Sequence, residues 1–340
     1  MHRLSSLFLL SLTGCDMVEE LLGSSAPDLS GAETQLSSGD LPGAAAVYQE
    51  AAKSAPTNVD AATGAAYTYL LAGDHAAADA ALAAAEAEAG ERLGEIKARR
   101  ALIALEQGKT EKIKSLGEAS GTDVGRLLAA EAHLADGERE EAIVLLEQVS
   151  GGGPVGRTAK EYLSLVKDPD PVVSGLSEVA ALWAIGDRKI AVRSVEELIK
   201  NLPDTREDQD ELLILWAGRA ASVRETEVAR RLLEAATFPP QGQAWRKFAT
   251  AAIIDCADNK PNRCVEQLNK LEGNAPADGL ADARATAAVL IAPQNADVAR
   301  RLADAAGTNA GARALLEAGD RAGARKAATG VMGSYLKSGG

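Results

Sequence analysis

Residues 39–56 read GDLPGAAAVYQEAAKSAP. Gly39 tolerates the left-handed conformation that closes a helix. Small or apolar residues then follow at helical spacing, at Ala44, Tyr48 and Ala51, as on a half-buried helix. Pro56 cannot donate to a helical ladder and ends the segment. The stretch therefore reads as a turn followed by one amphipathic helix, and its order of residue types can be sought elsewhere in the chain.

It recurs. Nine helix–helix turns fall at Gly39, Gly73, Gly108, Gly137, Gly186, Arg224, Asn259, Gln294 and Gly319, with four of the eight spacings at 34 or 35 residues. Seven residues before them stand Ala32, Ala66, Ala101, Ala130, Val179, Ala217, Ala252, Ala287 and Ala312. Alanine makes up 69 of 340 residues, so eight alanines in nine places is well above chance. Five residues after the turns stand Ala44, Ala78, Ile113, Ala142, Ala191, Ala229, Cys264, Ala299 and Ala324. Small residues at both offsets let the two helices of a hairpin approach closely. Seventeen residues past four turns come Pro56, Pro154, Pro203 and Pro276, expected to end second helices.

Small residue, turn, Ala, apolar residue and Pro in this order is similar to the tetratricopeptide repeat. Tyr69 stands at that family's first-helix aromatic position, ahead of Gly73, Ala78, Leu82 and Ala85. The resemblance spans roughly residue 30 to the end. It implies an all-α fold, a right-handed α-solenoid of about nine stacked antiparallel hairpins. The middle departs from the pattern. Between Gly137 and Gly186 lie 49 residues containing GGGP at 151–154 and DPDP at 168–171. An extra helix near 157–166 and a hinge are expected there. The third unit is also weak, with Gly117 and Ser120 where the stripe calls for apolar residues.

In the family, first helices line an inner groove that receives partner segments. By offset, the resemblance places Thr63, Tyr67 and Leu70, and then Val173, Leu176, Ala180 and Trp183, on that face. The rival reading puts Trp183 in the core or at the join with the extra helix.

Composition agrees with helices. Hydrophobic residues make up 46% of the chain and aromatics only 3%, so good helix formers prevail over strand formers. The formal net charge is −13, which argues against nucleic acid or an anionic lipid surface as the main target. No apolar run is long enough to span a membrane.

At the amino terminus, His2 and Arg3 precede an apolar run at 7–12 and then Leu12-Thr13-Gly14-Cys15. A basic start, an apolar stretch and small residues make a secretory signal. Leu-Thr-Gly-Cys resembles the bacterial lipobox, which implies that Cys15 is acylated and holds the protein on a membrane. An ordinary signal peptide or a frayed N-terminal helix is the rival reading. Asp16 resembles the inner-membrane retention signal of enterobacterial lipoproteins. The expected organisation is a signal peptide at 1–14, the lipidated Cys and a tether at 15–29, repeats at 30–150, a Gly/Pro-rich junction at 151–171 and repeats at 172–337.

Catalytic chemistry is poorly supplied. Residues 151–158, GGGPVGRT, fit the phosphate-loop spacing with Arg157 in the lysine position. That loop needs a preceding strand and a second acidic strand, and neither is visible. His75 and His133 stand on separate units with no zinc-ligand spacing. Glu140-Glu141 and Glu196-Glu197 read as charged helix faces, and there is no Gly-x-Ser-x-Gly elbow. No cofactor, metal or nucleotide is expected. Cys256 and Cys264 straddle the turn at Asn259, either as a disulfide or as two buried thiols.

The expected function is that of a non-enzymatic, lipid-anchored scaffold or assembly factor that binds protein partners in the bacterial cell envelope. The alternatives are a peptidoglycan-processing enzyme with a solenoid body and a passive spacer. The first lacks the Glu-Ser dipeptide of lytic enzymes.

Overall fold

A computed structural model describes residues 28–38, 40–55, 58–199, 209–237 and 244–307, with a few more positions up to 326. The signal, Cys15 and most of the tether lie outside the described residues, as do Pro56 and Pro203. The chain forms two compact units, one up to Arg188 and the other from Lys189.

Among the described residues seventeen α-helices follow one another, with no strand. The first unit holds α1 (Ser30–Ser38), α2 (Leu41–Ser54), α3 (Val59–Leu71), α4 (His75–Ala85), α5 (Leu93–Glu106), α6 (Thr110–Ser120), α7 (Asp123–Ala135), α8 (Arg139–Glu147), α9 (Gly153–Val166) and α10 (Pro171–Ala184). The helix α11 (Arg188–Ile199) leads into α12 (Gln209–Ser222), α13 (Thr226–Ala235), α14 (Ala244–Ala257), α15 (Pro261–Asn269), α16 (Ala277–Ile291) and α17 (Ala296–Ala305). Apart from α11, consecutive helices within each unit pack as antiparallel hairpins, and hairpins stack on their neighbours. This is the expected all-α solenoid of helix pairs.

The turns fall where the sequence sets them, and their backbone shows why. Gly73, Gly108, Gly137, Gly186, Arg224 and Asn259 have φ between +60° and +100°. At seven of the nine turns the residue after the turn donates its N–H back five residues; examples are Asp74 to Tyr69 O (2.8 Å) and Lys260 to Asp255 O (2.9 Å). That bond satisfies a carbonyl left over at the end of the first helix. The second helix starts at once. Asp40, Asp74, Asn295 and Asp320 each accept a backbone N–H three residues on, at 2.8–3.0 Å.

All eighteen residues at the two small-residue offsets are buried, none more than 3% exposed. Gly117 and Ser120 prove to be part of the same device. A Cβ on Gly117 would stand 2.5 Å from the Gly125 carbonyl oxygen, so α6 and α7 are packed backbone against backbone. The Ser120 hydroxyl donates to Gly117 O at 2.7 Å, which satisfies a buried polar group. A larger apolar residue would hold the helices apart.

Two of the prolines act differently from expectation. Pro154 lies in the first turn of α9 and Pro276 immediately precedes α16, while α8 and α15 have already ended at Glu147 and Asn269. They start the next helix, where a missing N–H costs nothing. The extra helix near 157–166 is present as α9, four residues longer at its start. It is firmly packed. Ala159, Tyr162 and Val166 share a core with Leu127 and Leu134 of α7, Ala142 and Leu146 of α8, and Ala181 of α10. The 151–171 stretch therefore lies inside the first unit, and the boundary between units follows α10.

Candidate functional site

The groove residues inferred by offset do not form an open surface. Val173, Leu176 and Trp183 are 7%, 5% and 8% exposed. Their side chains are consumed by packing, and the Arg188 guanidinium lies 5.6 Å from the Trp183 ring centre. Tyr67 is half-buried, and Leu70 packs partly against the core formed by α3, α4 and α5. Packing against neighbouring helices buries Val173, Leu176 and Trp183 and leaves Tyr67 and Leu70 partly covered.

Exposed apolar groups occur elsewhere. Leu215 on α12 is 47% exposed and Phe248 on α14 is 61% exposed. These are first helices of consecutive hairpins in the second unit and pack side by side, as do α14 and α16. Arg246 on α14 donates to Glu211 on α12 at 2.6 Å, tying the two helices two residues from Phe248 and four from Leu215. The neighbouring aromatics are spent on packing. Trp216 is buried with Arg219 stacked 4.3 Å from its ring centre, and the Trp245 ring covers Gly279 of α16. No repeat signal in the sequence separates Phe248 from core residues, because the stripe marks apolar positions whether or not a neighbour covers them.

The Gly-rich stretch holds a carboxylate of its own chain. Asp123, the first residue of α7, accepts the Gly151 N–H at 2.7 Å and the Ser150 N–H at 3.3 Å. Of the stretch's own amides, that of Gly151 already binds an anion, and Arg157 is exposed on α9.

His133 belongs to a polar cluster that the sequence did not reveal. Its two ring nitrogens lie 2.6 Å from Glu118 and from Glu138. Beside it, the Lys114 ammonium meets Asp136 at 2.5 Å and Glu138 at 2.7 Å. Burial works against the charged Lys114, yet hydrogen bonds and attraction from Asp136 and Glu138 outweigh it and raise its pKa. Hydrogen bonds from Lys114 and His133 hold the Glu138 carboxyl below its ordinary range. The cluster ties α6 to the turn between α7 and α8. Among the described residues no group of three or more His, Cys, Asp or Glu is placed to hold a metal ion.

Glu140 and Glu141 are exposed, as expected of a charged face. Glu196 is not. It is 9% exposed and accepts from Arg231 of α13 at 2.5 and 3.0 Å, a bidentate bridge between α11 and α13. Cys256 and Cys264, both fully buried, are joined as a disulfide across the Asn259 turn, with Cα atoms 5.3 Å apart. Among the described residues no helix is long and apolar enough to cross a membrane.

No protein-family model and no curated protein matches the chain. Among solved structures it is similar to a tetratricopeptide repeat protein from Parabacteroides merdae. The identity there is 14% over 83% of this chain and 98% of that one, with a TM-score of 0.32. It is also similar to the TPR domain of P58(IPK), at 16% identity over 86% of this chain and 96% of that one, with a TM-score of 0.25. The fold itself is carried by the chain's own hairpins.

Proposed function

We propose that this protein is a tetratricopeptide-like scaffold that holds a protein partner, anchored through an acylated Cys15 on the outside of a bacterial membrane. The observation that supports the reading most is the row of first helices α12, α14 and α16, on which Leu215 and Phe248 are left open to solvent. Apolar and aromatic groups exposed on a rigid helical surface are the usual anchors of a protein interface. The lipobox-like Leu12-Thr13-Gly14-Cys15 supports the anchor and, with it, an envelope location. The described residues supply the helices, ion pairs and buried disulfide of a durable frame, and the polar clusters they contain are spent on joining helices.

The test uses the full chain in its native membranes. Cys15→Ser should move the protein from the membrane fraction to the soluble fraction. A photo-reactive residue at position 248 should give one defined adduct with a client, and Leu215→Asp should abolish it. Unchanged membrane attachment of the Cys15→Ser variant would contradict the anchor. An adduct unaffected by Leu215→Asp would contradict the surface, and cell-wall lysis by the purified chain would contradict the scaffold.

A further inference from the structure

Two non-glycine residues among those described have positive φ, Arg224 at +63° and Asn259 at +60°. Both stand at repeat turns, 35 residues apart, where Gly73, Gly108, Gly137 and Gly186 serve elsewhere. A Cβ makes this backbone unfavourable, so the side chains must return something that glycine could not.

Arg224 does so across three hairpins. Its own backbone closes α12: the Arg224 N–H donates to Ala221 O and the Glu225 N–H to Ala220 O, each at 3.0 Å. Its guanidinium then reaches forward. One nitrogen donates to Ala257 O, the last carbonyl of α14, at 3.1 Å, and to Asn259 Oδ1 at 3.4 Å. The other donates to Leu290 O, near the end of α16, at 2.5 Å. Gln294 completes the column at the third turn. With its amide assigned from its neighbours, it donates to Asn259 Oδ1 at 3.1 Å and accepts from Arg224 at 3.1 Å. One delocalised cation thus serves the carbonyl ends of two helices while sitting on the end of a third. Each helix end carries unsatisfied acceptors and the negative end of a helix dipole. The planar fork of arginine holds its donors on separate nitrogens in fixed directions, whereas an ammonium gathers its three donors on one atom.

We propose that Arg224 is a register clamp: it fastens the turns at 224, 259 and 294 into one column, so that the hairpins α12/α13, α14/α15 and α16/α17 open as a single block. The disulfide between Cys256 and Cys264 closes the middle turn of the same column from within. Repeat proteins couple through nearest-neighbour interfaces. Here a single side chain reaches past the nearest neighbour to the next but one.

Hydrogen exchange on the full chain tests this with two substitutions. Arg224→Gly relieves the left-handed backbone and removes the clamp. If Arg224 were only a tolerated turn residue, this variant would protect its turns as well as or better than the natural chain. The clamp instead requires the amides of Asn259, Lys260 and Gln294 to exchange about tenfold faster or more, the loss of a charge-assisted bond at each helix end. The Gly73 and Asp74 amides of the first unit should not change. Arg224→Lys, which keeps charge and fold, should also speed exchange at Gln294, because Ala257 O and Leu290 O are served by two different guanidinium nitrogens and an ammonium offers only one. Natural protection at Asn259 and Gln294 in either variant overturns the proposal.

Discussion

Asp79 on α4 shows how individual residues join successive hairpins. Its carboxylate accepts from Arg100 of α5 at 2.8 Å and from Lys112 of α6 at 2.5 Å. Burial raises the cost of its charge, but the bonds and attraction of those two cations outweigh it, so its pKa lies below the ordinary carboxylate value. A carboxyl with a depressed folded pKa adds stability above its unfolded pKa of about 3.9, and that stability disappears as pH falls through the folded value. At pH 7, Asp79→Asn should lower the melting temperature by about 2–4 °C, on the order of 1 kcal/mol once solvent screening is allowed for. The gap should narrow as pH falls below the ordinary carboxylate range, so a difference that does not shrink on acidification would contradict the account. Such partners were not legible in the sequence. Asp79, Arg100 and Lys112 lie 12 to 33 residues apart, and only the packed fold selects them from among 85 charged residues. The same holds for Glu196 with Arg231 and for His133 with its two glutamates.

At the level of elements, the turns and the small-residue slots were legible because their causes are local. A residue with positive φ closes the first helix at six turns, from Gly73 to Asn259, and a short side chain must face the partner helix. Pro154 and Pro276 were legible as boundaries but on the wrong side. A residue without an N–H suits the start of a helix as well as the stretch after one. Gly117 was misread as a gap in the stripe because sequence alone does not give the distance between α6 and α7. Gly117→Ala tests that distance. Alanine is the better helix former by up to about 1 kcal/mol, yet its Cβ would strike the Gly125 carbonyl oxygen and lie 2.9 Å from the Ala129 Cβ. Overpacking of this kind costs about 1–3 kcal/mol, so the melting temperature should fall. A rise would mean that the helices have room to spare.

For the whole molecule, the repeat rhythm was enough to give the fold class, while the candidate site was only partly readable. Tyr67, Leu70, Val173, Leu176 and Trp183 fell on a first-helix face, but exposure depends on what the next hairpin covers, and that sorted Phe248 and Leu215 from the rest. The account rests most on one relation, that small residues seven before and five after each turn set how hairpins stack in both units. It is tested by placing leucine, one position at a time, at Ala66, Ala101, Ala130, Ala217, Ala252 and Ala287, with the half-buried Ala251 and Ala285 as controls. Melting should fall by several degrees at all six slots, from overpacking of about 1–3 kcal/mol each, and by little at the controls. Slots and controls that melt alike would contradict it.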